Sequence, residues 1–336
     1  MRRPDPRPAA PTRLRVRRPA DFLALIPYLL GFHPEESVVV IFSARGRVLL
    51  TARMDLPPPC LADSLAEQLV GLGAQHDADE LVLAGYGKED ADARLVLERL
   101  ARQVTVPVRE SLLVSGGRWW SLTCSSGCCP AEGTPYDPGS HPLAAEAVYA
   151  GMSVQPGRGQ LQRQVGGPGQ AEEARLADRA VVVATQVEAL GREERAALMA
   201  ETVQHCCADA QGPDEDEGLL LAVLAADLVV RDVAWSMVTR DEVEDHLRVW
   251  ARTVATAPAS LALGPLGLLG VTAWIAGQGA LQNCCAERMQ QLDPQYTLAA
   301  VLDDISDRAL PPRYWDELAE SLRQEVGAVA GLPGVQ

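Results

Sequence analysis

Aromatic side chains are scarce. The chain of 336 residues has three Phe, six Trp and six Tyr, only 4% of the total. Aliphatic side chains and alanine must therefore fill its cores. Lysine is almost missing, since Lys88 stands alone among 30 basic residues. That arginine bias, with abundant Ala, Gly and Pro, reads as a GC-rich coding sequence and not as a physical requirement. No G-x-S-x-G elbow and no G-x-x-x-x-G-K-[ST] loop occurs, which removes the two commonest hydrolase and nucleotide signatures. Residues 253–286 carry no charge, yet their apolar centre, 259–276, is broken by Gly264-Pro265 and followed by Gln278, Gln282 and Asn283. This pattern fits a buried helix and not a membrane span.

Hydrophobic content of 47% and charged content of 22% suit globular domains, and the length suits two. Net charge is −15 but uneven: seven arginines against Asp5 give residues 1–18 a net +6, leaving about −21 elsewhere. An acidic body repels phosphate backbones, so general nucleic-acid binding is not expected. Residues 1–13 read as a disordered basic leader. Asp21 abuts the apolar run that follows, Pro27 splits it, and no A-x-A site follows, so a cytoplasmic location is expected.

The expected fold class is an α/β N-terminal domain, a mixed sheet flanked by helices, followed by an all-α helical bundle domain. Residues 14–154 form the α/β domain. Leu14–Val16 reads as a short strand, Ala20–Leu30 as a helix ended by Gly31, and Ser37–Phe42 as a buried central strand. Val48–Met54 returns antiparallel, Glu80–Ala84 is another buried strand, and Ser115-Gly116-Gly117 joins strands Val108–Val114 and Arg118–Cys124. Residues 155–170, dense in Gly, Gln and Pro, read as a linker. Beyond it helices are expected near 171–190, 192–209, 217–231, 240–256, 265–276, 279–292, 296–308 and 312–328, within a bundle spanning 171–330. Pro213-Asp214-Glu215-Asp216-Glu217 supplies an acidic helix N-terminus.

Three blocks carry possible chemistry. Ligands of open α/β sheets gather beyond strand carboxyl ends, where the sequence offers Asp55 and the turn Gly85-Tyr86-Gly87-Lys88. Gly85, Gly87 and Lys88 lie between a strand and a helix, where backbone amides can receive a phosphate. An ordinary turn fits the same residues. Cys124, Cys128 and Cys129 form a second block. Three thiols within six positions can hold metal, form a reversible disulfide, or simply pin a loop with small buried side chains. Their spacing matches no standard zinc motif, so no metal and no cofactor are expected. His33-Pro34-Glu35-Glu36-Ser37 reads as a turn with a polar strand entrance. Cys206-Cys207 and Cys284-Cys285 read as small core residues, and eight cysteines in such a protein as reduced thiols. Trp250, Trp274 and Trp315 are placed in the helical core, with the floor of an interdomain pocket as the alternative.

Pro27–Ser37 running through Val38–Phe42 to Arg53-Met54-Asp55-Leu56-Pro57 resembles the opening signature of an actinobacterial family catalogued as domain of unknown function 4192. The aromatic strand Trp119-Trp120 followed by C-x-x-x-C-C-P-x-x-G-T-P resembles it too, as does Trp274-Ile275-Ala276-Gly277-Gln278-Gly279-Ala280, where Gln278 stands at a place the family fills with Asp. The resemblance implies no activity, cofactor or partner. No complete catalytic constellation is present, which favours a non-catalytic protein working through a protein partner or self-association. An enzyme or small-molecule sensor with an interdomain site at the sheet edge, thiol- or phosphate-dependent, is the alternative.

Overall fold

The computed structural model describes residues 14–330 apart from 89, 126 and 128. The expected leader, residues 1–13, and Cys128 lie outside the described residues. Two compact units divide the chain, one ending at Arg158 and the other beginning at Gly159.

The first unit opens with helix α1 (Pro19–Leu30). Proline at its first position loses no helical bond, and the Asp21 carboxylate accepts the Arg17 and Arg18 amides at 2.7 and 3.0 Å. Gly31, at φ +79°, stops it. Leu14–Val16 is not a strand. Leu14 and Val16 instead lie with Leu25 and Leu143 in a small apolar cluster. Three apolar-edged residues gain more from that burial than from an unpaired ladder.

Strands β1 (Ser37–Ala44) and β2 (Arg47–Asp55) form a hairpin whose two turn residues, Arg45 and Gly46, both have positive φ. A turn of that kind matches the right-handed twist of the strands. Helix α2 (Ala62–Gln75), β3 (Glu80–Tyr86), α3 (Asp90–Gln103), β4 (Val108–Ser115), β5 (Arg118–Ser121) and the two-residue β6 (Thr134–Pro135) follow. Strand order is β2-β1-β3-β4-β5-β6. Only β3 and β4 run parallel, joined by α3; the other pairs are antiparallel, so the sheet is mixed. α4 (Pro142–Tyr149) completes the helices of this unit.

Strand periodicity splits the core into two layers. Val38, Val40 and Phe42 of β1, with Leu81 and Leu83 of β3, meet α2 and α3. Val39 and Ile41, with Val82, Ala84 and Tyr86, meet α1 on the opposite face. β1 is buried on both faces, as its continuous β-branched run predicts.

Beyond Arg158 the regular elements among the described residues are helices. They are α5 (Arg158–Gln164), α6 (Gln170–Glu188), α7 (Arg192–Ala208), α8 (Glu215–Leu224), α9 (Leu228–Ser236), α10 (Val243–Thr256), α11 (Leu263–Ile275), α12 (Gly279–Leu292), α13 (Thr297–Asp307) and α14 (Tyr314–Ala330). α5 sits within the stretch that shows no periodicity in sequence. The helix expected over 217–231 is broken: Asp227 accepts the amides of Val229 and Val230 and starts a new helix there. At α8, Asp214 accepts the Glu217 amide and Glu217 accepts the Asp214 amide, both at 2.9 Å. Gly264 and Pro265 fall in the first turn of α11, where a missing N–H costs nothing, so they begin the helix instead of breaking it. No helix among the described residues is long and apolar enough to cross a membrane.

Candidate functional site

Register brings the sheet-end residues together. Ser37 stands opposite both Asp55 and Tyr86 on its two neighbours, and Tyr86 stands opposite Val114. Asp55 and the Gly85–Lys88 turn therefore share one end of the sheet, about 10 Å apart across β1. Each is already engaged. Asp55 is largely exposed and pairs with Arg53 at 2.5 Å, while Arg53 also donates to the Glu35 carbonyl at 3.3 Å. The Gly87 amide donates to the Val114 carbonyl at 3.1 Å, extending the ladder. The Lys88 amide donates to the Glu36 carboxylate at 2.6 Å. A phosphate at this turn must displace that carboxylate. Gly85 serves packing, since a Cβ there would come within 2.9 Å of Leu97 in α3.

Glu36, read in the sequence only as part of a turn at a polar strand entrance, does more in the structure. Its φ of +40° is unusual outside glycine. That conformation lets its side chain hold the end of β3 while its carbonyl accepts the Leu56 amide at 2.8 Å, holding the end of β2. The polar strand entrance is thus a clamp across three strands. No periodicity marks such a residue.

Beneath the clamp lie two buried hydroxyls. Ser37 and Tyr86 are cross-strand neighbours on the α1 face, 0% and 4% exposed; the Ser37 hydroxyl has no hydrogen-bond partner, and the Tyr86 phenol is engaged with that of Tyr136. Burial, with Tyr136 alongside, pushes the Tyr86 phenol well above its ordinary range, and burial pushes Tyr136 up to about 12. Both phenols remain neutral, and the buried Ser37 hydroxyl, a donor without a partner, carries a desolvation cost of about 1–3 kcal/mol.

The cysteine loop is built differently. Strand β5 runs antiparallel to β4, which carries Cys124 away from the end that holds Lys88. Ser121 and Thr123 anchor the exit on Glu110 at 3.3 and 3.0 Å. On the return, Arg118 donates to the Glu132 and Gly133 carbonyls and the Trp120 indole donates to the Ala131 carbonyl at 3.0 Å. Gly133 has φ +77°, and a Cβ on it would sit 2.5 Å from the Trp120 ring. The motif's glycine thus lets the loop lie flat on the indole before Thr134 and Pro135 form β6. Cys124 and Cys129 are half-buried. Among the described residues no three His, Cys, Asp or Glu side chains gather as a metal site needs.

A family model described as Domain of unknown function (DUF4192) matches residues 19–313. The chain belongs to this family. No curated protein and no solved structure matches it. The matched span includes the clamp, the cysteine loop and the Trp274–Ala280 turn. In this DUF4192 chain the last of these is a helix junction: Gly277, at φ +73°, ends α11, and the Gln278 amide donates to the Ala273 carbonyl at 2.7 Å.

The helical unit adds the partners of the tryptophans that the sequence places in its core. Trp315 stacks on Trp235 at 6.1 Å and meets Trp274 edge-on at 6.4 Å. Its indole donates to the Val238 carbonyl at 2.9 Å, and that of Trp274 to Leu310 at 2.7 Å. Trp250, Trp274 and Trp315 are all buried. Trp315 also borders a cleft of about 660 Å³ with Val238, Ala276, Arg240, Asp316 and Arg323. Arg240 pairs with Asp316 at 3.2 Å and Arg323 with Glu320 at 3.0 Å, so a ligand would compete with existing ion pairs. Cys206, Cys284 and Cys285 are buried. Burial raises the Cys206 thiol to about 12 and Cys207 to about 11, which keeps both protonated and unreactive.

Proposed function

We propose that this is a non-catalytic binding or assembly protein that acts through protein–protein surfaces. The observation that carries this reading is the contrast between the two edges of the sheet. One edge is β6, two residues long and ending in Pro135, with the Arg118- and Trp120-pinned loop beside it. Such an edge cannot template another strand. The other is β2, nine residues without proline, with Arg47, Arg53 and Asp55 among them and a bulge at Leu49, exposed at Val48 and Leu49 and half-buried from Leu50 to Met54. Among the described residues no strand pairs with its outer side, and such an edge offers backbone donors and acceptors to a further strand, which suits assembly.

A second reading, a small-molecule sensor or enzyme at the sheet end, draws support from the buried, unpartnered Ser37 hydroxyl beside the Tyr86 phenol, at the strand ends that carry Asp55 and lead to Lys88. Native mass spectrometry of the protein taken from the cells that make it separates the two. The assembly reading expects complexes whose masses are sums of protein chains. A single retained compound of constant mass, lost on Tyr86→Phe, would replace it with the second reading.

A further inference from the structure

We infer that the cleft beside Trp315 in the helical unit is a binding site for a small hydrophilic amine, with Asp241 as the residue that receives the ammonium group. The inference is independent of the assembly reading and draws on a different part of the molecule.

The walls of the cleft are the connection between α9 and α10, the end of α11 and the first half of α14. Side-chain hydrogen bonds to backbone fasten these walls. The Trp315 indole donates to the Val238 carbonyl at 2.9 Å, and Arg323 Nε donates to the Ser236 carbonyl at 3.3 Å. Carbonyls at the end of α9, which have no partner within their own helix, are thus taken up by α14. Just ahead of α14 the Trp274 indole donates to the Leu310 carbonyl at 2.7 Å. An opening of about 660 Å³ is therefore held before any ligand arrives, and small-molecule sites span about 300–1,000 Å³.

Charge decides the class of ligand. The lining carries four charged side chains, Arg240, Asp241, Asp316 and Arg323. Arg240 pairs with Asp316 at 3.2 Å, which joins the α9–α10 connection to α14, and Arg323 pairs with Glu320 at 3.0 Å. Asp241 is exposed and, among the described residues, has neither an ion pair nor a hydrogen bond. An anion must take Arg240 from Asp316 or Arg323 from Glu320. A cation meets Asp241 and displaces nothing. The positive ends of the two flanking helices call for no anion either, because Glu244 and Asp245 occupy the first turn of α10 and Asp316 and Glu317 that of α14. A nonpolar body finds little to cover, since Val238, Ile275 and Ala319 are at most 5% exposed. What remains is a ligand that is small, polar and positively charged.

Three four-carbon probes separate the classes: putrescine, with an ammonium at each end, 1,4-butanediol, with hydroxyls, and succinate, with carboxylates. Isothermal titration calorimetry of the full chain with each, at one ionic strength, is the measurement, and circular dichroism checks that each variant folds. Putrescine should bind and the other two should not. Asp241→Asn should weaken putrescine about fivefold, the scale of one exposed ionic contact. Arg240→Gln removes a cation and releases Asp316, so it should tighten putrescine by about twofold or more. Glu67→Gln, at an exposed acid on α2 of the sheet unit, controls for general attraction to a chain of net charge −15 and should change nothing. Succinate or butanediol binding as tightly as putrescine overturns the inference, as does a putrescine affinity that Asp241→Asn leaves unmoved or that Glu67→Gln lowers equally. Absence of putrescine binding overturns it too. The assembly reading is untouched by any of these results, because it rests on complexes of protein chains.

Discussion

In the sheet unit, β1 sends Val38, Val40 and Phe42 to one layer and Val39 and Ile41 to the other, and branched side chains do the filling. In the helical unit, α11 is buried on every side from Gly264 to Ile275, and its neighbours approach through glycine. A Cβ on Gly264 would lie 2.4 Å from the Ala225 carbonyl oxygen, one on Gly267 2.4 Å from Leu298, and one on Gly270 2.5 Å from Leu302. One unit is held by volume present and the other by volume withheld. With so few aromatic residues, the helical unit gains contact by moving helices together and not by enlarging side chains.

The comparison predicts opposite sensitivities. Leu83→Ala, at a fully buried position between β3 and the α2–α3 layer, should cost the most, about 2–5 kcal/mol in urea denaturation, because the cavity cannot close. Gly264→Ala comes next. In an ordinary helix that exchange is favourable by up to about 1 kcal/mol. Here the new methyl meets backbone, which cannot rotate away, and the expected result is a loss of about 1–3 kcal/mol. A gain in stability would show that α11 is not packed through its glycines, and the contrast between the units would fail.

Gly133→Ala carries the same idea into the sheet unit, where Gly85 in β3 also packs closely, against Leu97. Gly133 combines a positive φ with contact on Trp120, and the loss should be about 1–2 kcal/mol, confined to the loop. Hydrogen-exchange mass spectrometry is the suitable measurement. Faster exchange restricted to peptides spanning 118–136 is expected, and a change spread over β1 and β3 would contradict a local role.

The same contrast explains what could be seen beforehand. Alternation and β-branched runs specify strands directly, so β1, β2, β3 and β4 were legible to within a residue or two, as was the Gly116-Gly117 hairpin, whose two glycines both have positive φ. Helix existence was legible as well, but the break at Asp227 was not, because Ala225-Ala226 continue the apolar pattern and only a side-chain cap interrupts it. The short segment at Leu14–Val16 misled for the opposite reason: apolar residues near a sheet do not specify pairing. At the candidate site, Asp55 and Gly85–Lys88 both end strands, and the register puts them at the same end of the sheet. The part played by Glu36 was not legible, because it depends on where three strand ends meet, which no local window contains. The glycines of α11 read as helix-weakening until their neighbours are known.

The smallest effect expected is a pH dependence that the sheet unit should show through Asp21. Burial alone would raise this carboxyl. The Arg17 and Arg18 amides outweigh it, with the charges of Arg18 and His141 adding to them, and the folded-state pKa ends below the ordinary value. A carboxyl depressed in the folded state contributes stability that is present above its unfolded pKa, near 3.9, and is lost as pH falls through the folded value. Asp21→Asn keeps the size and one acceptor but abolishes that titration. The wild-type chain should therefore lose stability on acidification from about pH 4 downward more steeply than the variant, with the two curves converging at the acid end. Parallel curves would mean that α1 is anchored by its apolar face, through Phe22, Leu23 and Ile26, and that its N-terminal carboxylate adds nothing beyond a hydrogen-bond acceptor.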